Sequence, residues 1–190
     1  MEIKDLHQIF LNSEGVSTDT RTIKPGSIFF ALKGENFNAN NFAKTAIDLG
    51  ALFSVIDEIP DEESDKLIVV QDVLKTLQQL AYFHRKFLDI PIIAITGSNG
   101  KTTSKELINS VLSQQFETFA TKGNLNNHIG VPLTLLEMNK TTNLGIVEMG
   151  ANHIGEIKEL CEIAAPNYGY ITNFGKAHLE GFGSEKGVVK

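Results

Sequence analysis

Residues 92–103 read Ile-Ile-Ala-Ile-Thr-Gly-Ser-Asn-Gly-Lys-Thr-Thr. An apolar run enters a loop with two glycines, then Lys-Thr, then a helix-forming segment from Ser104 to Gln114. Glycines let a backbone turn tightly enough for successive N–H groups to point at one anion. The helix start adds partial positive charge. In such a loop, Gly97, Ser98, Asn99, Gly100, Lys101, Thr102 and Thr103 line the phosphates of a nucleotide. Lys101 reaches the β- and γ-phosphates, and the Thr102 hydroxyl sits on Mg²⁺. The spacing is G-x-x-G-K-T, two residues shorter than the common G-x-x-x-x-G-K-[ST] form. The sequence therefore predicts strand, phosphate loop and helix, and a site for a nucleotide with its cation.

Elements that must position such a loop are legible on both sides of it. Ile3, Leu6, Ile9 and Phe10 share a helical face over residues 2–11. Ser27–Leu32, Ala51–Ile56 and Leu67–Val70 read as strands, with Lys24-Pro25-Gly26 as a turn. Asn40 or Asn41 is expected to cap a helix through Leu49, and Asp72 one to about Phe87. Asp89-Ile90-Pro91 breaks the pattern, and a domain boundary is placed there, giving domains 1–88 and 89–190. Beyond the loop helix come a strand at 117–120, an Asn-rich loop at 121–128, and a helix at 130–137. A strand at 144–147 follows, then a helix at 155–163, a strand at 168–172 and a Gly- and His-containing loop at 173–184. Val188 and Val189 read as a helix start. Alternating strands and helices imply an α/β fold with a mostly parallel sheet: a small N-terminal α/β domain, then a phosphate-loop domain.

Composition narrows the partners. The 190 residues are 42% hydrophobic, enough for a real core, and carry a net charge of -6 without a Lys/Arg block. Nucleic acid is thus not the expected partner. The single cysteine, Cys161, excludes an internal disulfide, suggests a reducing compartment, and reads as a small buried hydrophobe. The start of the chain lacks a signal-peptide pattern, and no apolar run approaches the ~20 residues of a membrane span. A cytoplasmic, monomeric protein is expected.

Ligands of open α/β sheets sit at the carboxyl ends of the strands. Glu148 follows the strand 144–147 and can hold Mg²⁺ directly or through water. Asn124, Asn126, Asn127 and His128 can hold a carboxylate or a sugar hydroxyl, or only satisfy a tight loop. His178 follows the strand 168–172, and its position alone assigns it no role.

Several stretches together resemble the Mur ligases, the ATP-dependent amide-forming enzymes of bacterial cell-wall precursor synthesis. They are T-G-S-N-G-K-T-T at 96–103, S-T-D-T-R at 17–21 and S-I-F-F-A-L-K-G at 27–34. G-N-L-N-N-H-I-G-V-P at 123–132, E-M-G-A-N-H at 148–153 and H-L-E-G-F-G-S at 178–184 extend the match. The resemblance implies ATP and Mg²⁺ as cofactors. Lys101 would hold the phosphates, Thr102 and Glu148 one Mg²⁺, and His178 would help hold a second, making Lys101, Glu148 and His178 the catalytic set. Thr18, Asp19, Thr20 and Arg21 would lie near the UDP of the substrate. Asn124, Asn126, Asn127 and His128 would face the muramoyl-peptide or the γ-phosphate. Leu125 and Asn126 stand where the ligase of the third peptide residue usually has two threonines. That favours the step joining D-alanyl-D-alanine to UDP-N-acetylmuramoyl-tripeptide through an acyl phosphate. Another amino-acid donor and a non-catalytic nucleotide-binding module are the alternatives. A kinase or GTPase would show a longer loop and would leave the first ~88 residues without a role.

The family has three domains. On this resemblance the chain covers the first and part of the second. The third, which would bind D-alanyl-D-alanine, falls outside it, so the chain alone is expected to bind substrate but not ligate. A carbamylated lysine that bridges the metals is expected just past the end, with Lys190 about two positions short of it.

Overall fold

The computed structural model describes residues 1–60 and 64–175. The chain divides into two compact units, one from Met1 to Phe83 and one from His84 onward. The division falls within one helix, five residues before the expected boundary at 88, which is that helix's last residue.

The first unit begins with helix α1 (Ile3–Leu11), which buries Leu6, His7 and Phe10. Its sheet is wholly parallel, in the order β1 (Val16–Ser17), β2 (Ile28–Phe30), β5 (Phe53–Ile56), β6 (Leu67–Val69). Every residue of β2 is buried, as expected for a central parallel strand covered on both faces. Helix α2 (Ala43–Asp48) packs on β5. There Ala39, Ala43 and Ala46 let the helix approach Phe29 and Ile56 closely. A two-residue hairpin, β3 (Lys33–Gly34) with β4 (Phe37–Asn38), is the antiparallel element among the described residues. The residue that caps the 39–42 turn is Asn38, whose Oδ1 accepts from the Asn40 N–H at 3.0 Å; the expected cap at Asn40 or Asn41 is displaced because the chain enters through this hairpin. Helix α3 (Val73–Leu88) follows, its first turn held by Asp72, which accepts from the Lys75 N–H at 2.9 Å.

The second unit holds another wholly parallel sheet, in the order β10 (Tyr168–Ile171), β7 (Ile92–Thr96), β9 (Leu144–Glu148), β8 (Thr118–Ala120). The first strand in sequence, β7, lies inside the sheet. The chain leaves it for β8 on one side and reaches β10 on the other, so the strand order reverses at β7. Crevices in α/β sheets form at such reversals, at the carboxyl ends. Helix α4 (Lys101–Leu112) covers one face, where its Ile108 and Leu112 pack with Ile93, Ile95, Leu144 and Ile146. Helices α5 (Gly130–Glu137) and α6 (Glu156–Ala164) pack on β9 and β7, respectively. The Arg85 guanidinium, 5% exposed, donates to Ala164 O and Ala165 O, both at 3.1 Å, and to Asn167 Oδ1 at 2.9 Å. That closes the carboxyl end of α6, whose last carbonyls have no partner within the helix. Cys161 is half-buried, its Sγ 3.8 Å from Met149 Sδ, and burial pushes its thiol pKa up. Among the described residues no helix is long and apolar enough to cross a membrane. The architecture is the expected α/β class, with the glycine loop 97–100 at the point where the sheet order turns.

Candidate functional site at the carboxyl end of the second sheet

The loop between β7 and α4 is tied to the segment that leaves β10. Ser98 N–H donates to Asn173 O at 3.1 Å, and Asn99 N–H to Asn173 Oδ1 at 3.1 Å. In return, Thr172 Oγ1 donates to Asn99 O at 2.6 Å and Asn173 Nδ2 to the same carbonyl at 3.1 Å. Ser98 Oγ and the Gly175 backbone exchange two further hydrogen bonds, at 3.1 and 2.8 Å. This close approach dictates Gly97. A Cβ there would stand 2.1 Å from Thr172 Oγ1 and 3.0 Å from Asn173 N and O, and its φ of +131° disfavours any side chain. Gly100, with φ +78°, lets the chain turn straight into α4. Lys101 folds back over the loop, its Nζ donating to Gly97 O at 2.7 Å. The ammonium is thus held on the loop, and Thr102 and Thr103 are exposed in the first turn of α4.

Glu148 ends β9, beside Ile95 in register. It lies on the same face as Leu144 and Ile146, the α4 face, because strand side chains alternate. It is 2% exposed. Asn126 Nδ2 donates to its Oε1 at 2.9 Å, and its own N–H donates to Thr121 Oγ1 at 3.0 Å. Its Oε2 is buried with no hydrogen-bond partner. Lys105, 1% exposed, lies one helical turn after Lys101; its Nζ is 4.0 Å from that oxygen, 2.6 Å from Thr121 O and 3.0 Å from Glu106 Oε1. An orphaned buried carboxylate oxygen at the end of a strand, beside a phosphate-type loop, is a ready ligand for a hard cation. No group of three or more His, Cys, Asp and Glu side chains converges among the described residues.

The Asn-rich loop splits by role. Asn126 braces Glu148, and its carbonyl accepts from the Gly150 N–H at 2.8 Å. Asn127 Oδ1 accepts from Ile129 N–H and Gly130 N–H at 3.1 and 2.9 Å, which caps α5. Asn124 and His128 are exposed on the same loop. His178 lies outside the described residues, as do Val188, Val189 and Lys190. Sequence reasoning missed Lys105, Thr121, Thr172 and Asn173. For Lys105 a signal existed: it continues the inward stripe of Ile108 and Leu112 at helical spacing.

In the first unit, Thr18, Asp19, Thr20 and Arg21 follow β1 at the carboxyl end of its sheet. Asp19 caps the 20–22 turn through the Arg21 N–H at 2.9 Å, and the Arg21 guanidinium grips the same carboxylate at 2.6 to 3.0 Å. That hydrogen-bonded pair holds the Asp19 pKa at about 2 and raises that of Arg21. Beyond β5, Lys33 Nζ lies 2.9 Å from Asp57 Oδ1 and 3.0 Å from Glu58 Oε1, and Asn40 Nδ2 donates to Asp57 Oδ1.

Residues 95–190 match the Mur ligase middle domain. The chain is 41% identical over 178 residues to the UDP-N-acetylmuramoyl-tripeptide–D-alanyl-D-alanine ligase of Bacillus subtilis, covering 93% of this chain and 39% of that protein. It superposes on a MurF crystal structure from Acinetobacter baumannii with TM-score 0.87 and 37% identity, over 96% of this chain and 43% of the other. A MurF ligase from Thermotoga maritima, solved in complex with ADP, matches with TM-score 0.86 and 31% identity, over 95% of this chain and 42% of the other. The chain thus spans about two-fifths of the length of the curated relatives it matches. With a short glycine loop tied to the segment after β10 and a buried acid on β9, this family match makes the chain a member of the Mur ligase family.

Proposed function

We propose that the chain serves an ATP-dependent ligase joining D-alanyl-D-alanine to UDP-N-acetylmuramoyl-tripeptide. One observation carries the reading: the buried Glu148 Oε2, which has no hydrogen-bond partner, in the same sheet end as a glycine loop whose lysine is folded over it. In the proposed reaction the tripeptide's terminal carboxylate takes the γ-phosphoryl group of ATP, and ADP leaves. The amine of D-alanyl-D-alanine then attacks the acyl phosphate, and phosphate leaves.

The residues present fit the cation the family implies, because Glu148 offers a buried oxygen that has no hydrogen-bond partner. Glu148 and the Thr102 hydroxyl would hold Mg²⁺, with His178 as the proposed ligand of a second ion. When bound, Mg²⁺ neutralises charge on the phosphate oxygens. The protein's own part is placement. Ser98 N–H and Asn99 N–H are taken by Asn173, so the Gly100 and Lys101 N–H groups would cradle the phosphates, and the Lys101 ammonium would leave Gly97 O for the β- and γ-phosphates. Carboxylate and ATP repel each other, so these cations bring them within reach. In the N-terminal domain, proposed as residues 1–88, the segment Thr18–Arg21 would bind the UDP end. Asn124 and His128 would face the muramoyl-peptide, while Asn126 orients Glu148.

Calorimetry tests this. The chain titrated with UDP-N-acetylmuramoyl-tripeptide should give saturable heat. Mg²⁺–ATP should give a weaker signal that Lys101→Ala abolishes. In protein expressed from the natural gene, the same substitution should abolish amide formation. Silence with both ligands, or unchanged turnover in Lys101→Ala, would overturn the proposal.

A further inference from the structure

Lys105 belongs to no part of the phosphate loop, yet it is 1% exposed and ends against Glu148. A buried ammonium is expensive and persists only where its charge is matched. Here two carboxylates share it. Glu106, at 3.0 Å, is 63% exposed and screened by solvent. Glu148, at 4.0 Å, is 2% exposed and has no other cation given to it among the described residues. Thr121 ties the two together: its carbonyl accepts from Lys105 Nζ at 2.6 Å, and its Oγ1 accepts from the Glu148 N–H at 3.0 Å. The residues also occupy matching ends of two facing stripes, Lys105–Ile108–Leu112 on α4 and Leu144–Ile146–Glu148 on β9. An apolar helix–sheet contact thus ends in one charge pair, at the carboxyl end of the sheet.

We infer that Lys105 is a positioning residue for Glu148: a resident counter-ion that holds the buried carboxylate in place and competes with Mg²⁺ for its free oxygen. The inference rests on the reading of Glu148 as the cation-holding acid. Its consequence is linkage. Removing Lys105 leaves the buried Glu148 carboxylate with its Asn126 hydrogen bond but without a counter-ion, a penalty relieved when Mg²⁺ supplies the missing charge. Stability of such a variant should therefore depend on Mg²⁺, which a purely structural lysine would not produce.

The test is thermal unfolding of the chain and three variants, in EDTA and in saturating Mg²⁺–ADP. Lys105→Met keeps the length of the side chain and removes its charge. In EDTA it should melt about 5–10 °C below the parent. In Mg²⁺–ADP that gap should shrink by more than half, with Mg²⁺ bound on the order of tenfold more tightly. The double variant Lys105→Met/Glu148→Gln removes both charges, so it should melt above Lys105→Met and keep the result readable if the single variant does not fold. An equal loss in both buffers, or a double variant no more stable than the single one, overturns the inference while leaving Glu148 its proposed role. Glu148→Gln alone separates the two: if it responds to Mg²⁺ as the parent does, the reading of Glu148 falls, and the inference falls with it.

Discussion

Replacing Gly97 by alanine tests how the phosphate loop is held. A Cβ at residue 97 would lie 2.1 Å from Thr172 Oγ1. That hydroxyl is fixed, since it donates to Asn99 O at 2.6 Å, and rotating it away forfeits the bond. The Asn173 N and O atoms, 3.0 Å from the same Cβ, belong to backbone and cannot rotate aside. Left-handed backbone at +131° adds about 1–2 kcal/mol for a non-glycine residue, and forced displacement of packed atoms about 1–3 kcal/mol. The sum, about 2–5 kcal/mol, lowers the melting midpoint of a chain this size by roughly 5–15 °C. Gly100→Ala is the internal control. Its φ is +78°, but nothing lies within 4 Å of the added atom, so only the backbone term of about 1–2 kcal/mol remains. Circular-dichroism melts of the two variants read the difference. Adding Thr172→Ala to Gly97→Ala should return about 1 kcal/mol, although Thr172→Ala alone removes a hydrogen bond and destabilises. Two glycine variants melting within ~2 °C of each other would refute the argument that the strap to β10 demands the glycine.

Three further outcomes follow from charge and burial. Asp19 has its pKa held at about 2 by Arg21, below its ordinary 3.8; the stability it lends is therefore complete above the ordinary value and lost as pH falls toward 2, and carboxyl NMR titration of Arg21→Ala should show the pKa return upward. His84 is 2% exposed, with Nε2 2.9 Å from Met138 O, and burial pushes its pKa below 6.5, so the folded state resists protonation; stability should fall as pH drops through the ordinary histidine range, and His84→Gln should flatten that part of the melting profile. Arg85→Met should cost about 2–4 kcal/mol in urea unfolding, because Ala164 O and Ala165 O lose a buried charged donor that methionine cannot replace.

How far the sequence discloses this molecule depends on the length of each signal. Five-residue strands rich in apolar residues, such as 92–96 and 144–148, and helices of several turns, such as 73–88, are long enough to be read. The two-residue strands at 16–17, 33–34 and 37–38 contain less than one full alternation, so β1 and the hairpin leave no periodic trace. The cap at Asn38 is hidden for the same reason: its choice over Asn40 depends on where the hairpin delivers the chain. The 97–101 loop is visible because its two glycines and lysine fall within one short stretch. Its brace is not, since Thr172 and Asn173 stand 73 and 74 residues from the Asn99 carbonyl they hold, and nothing local marks a polar pair as a strap.

Glu148 and Lys105 show a different kind of legibility. Each completes an apolar row whose period is local, two along β9 and three to four along α4. A charge at the end of a core-facing row is ambiguous alone, because a strand-end glutamate usually points to water and a helical lysine can extend its stem over apolar surface to reach it. The ambiguity disappears once both rows are known to pack on each other, as Ile108 and Leu112 do with Leu144 and Ile146. The helix runs antiparallel to the strand, so the end of one row that carries lysine must meet the end of the other that carries glutamate. Two charges that each look like surface decoration then become a single buried pair, in which Glu148 Oε2 faces the ammonium at 4.0 Å without a hydrogen bond.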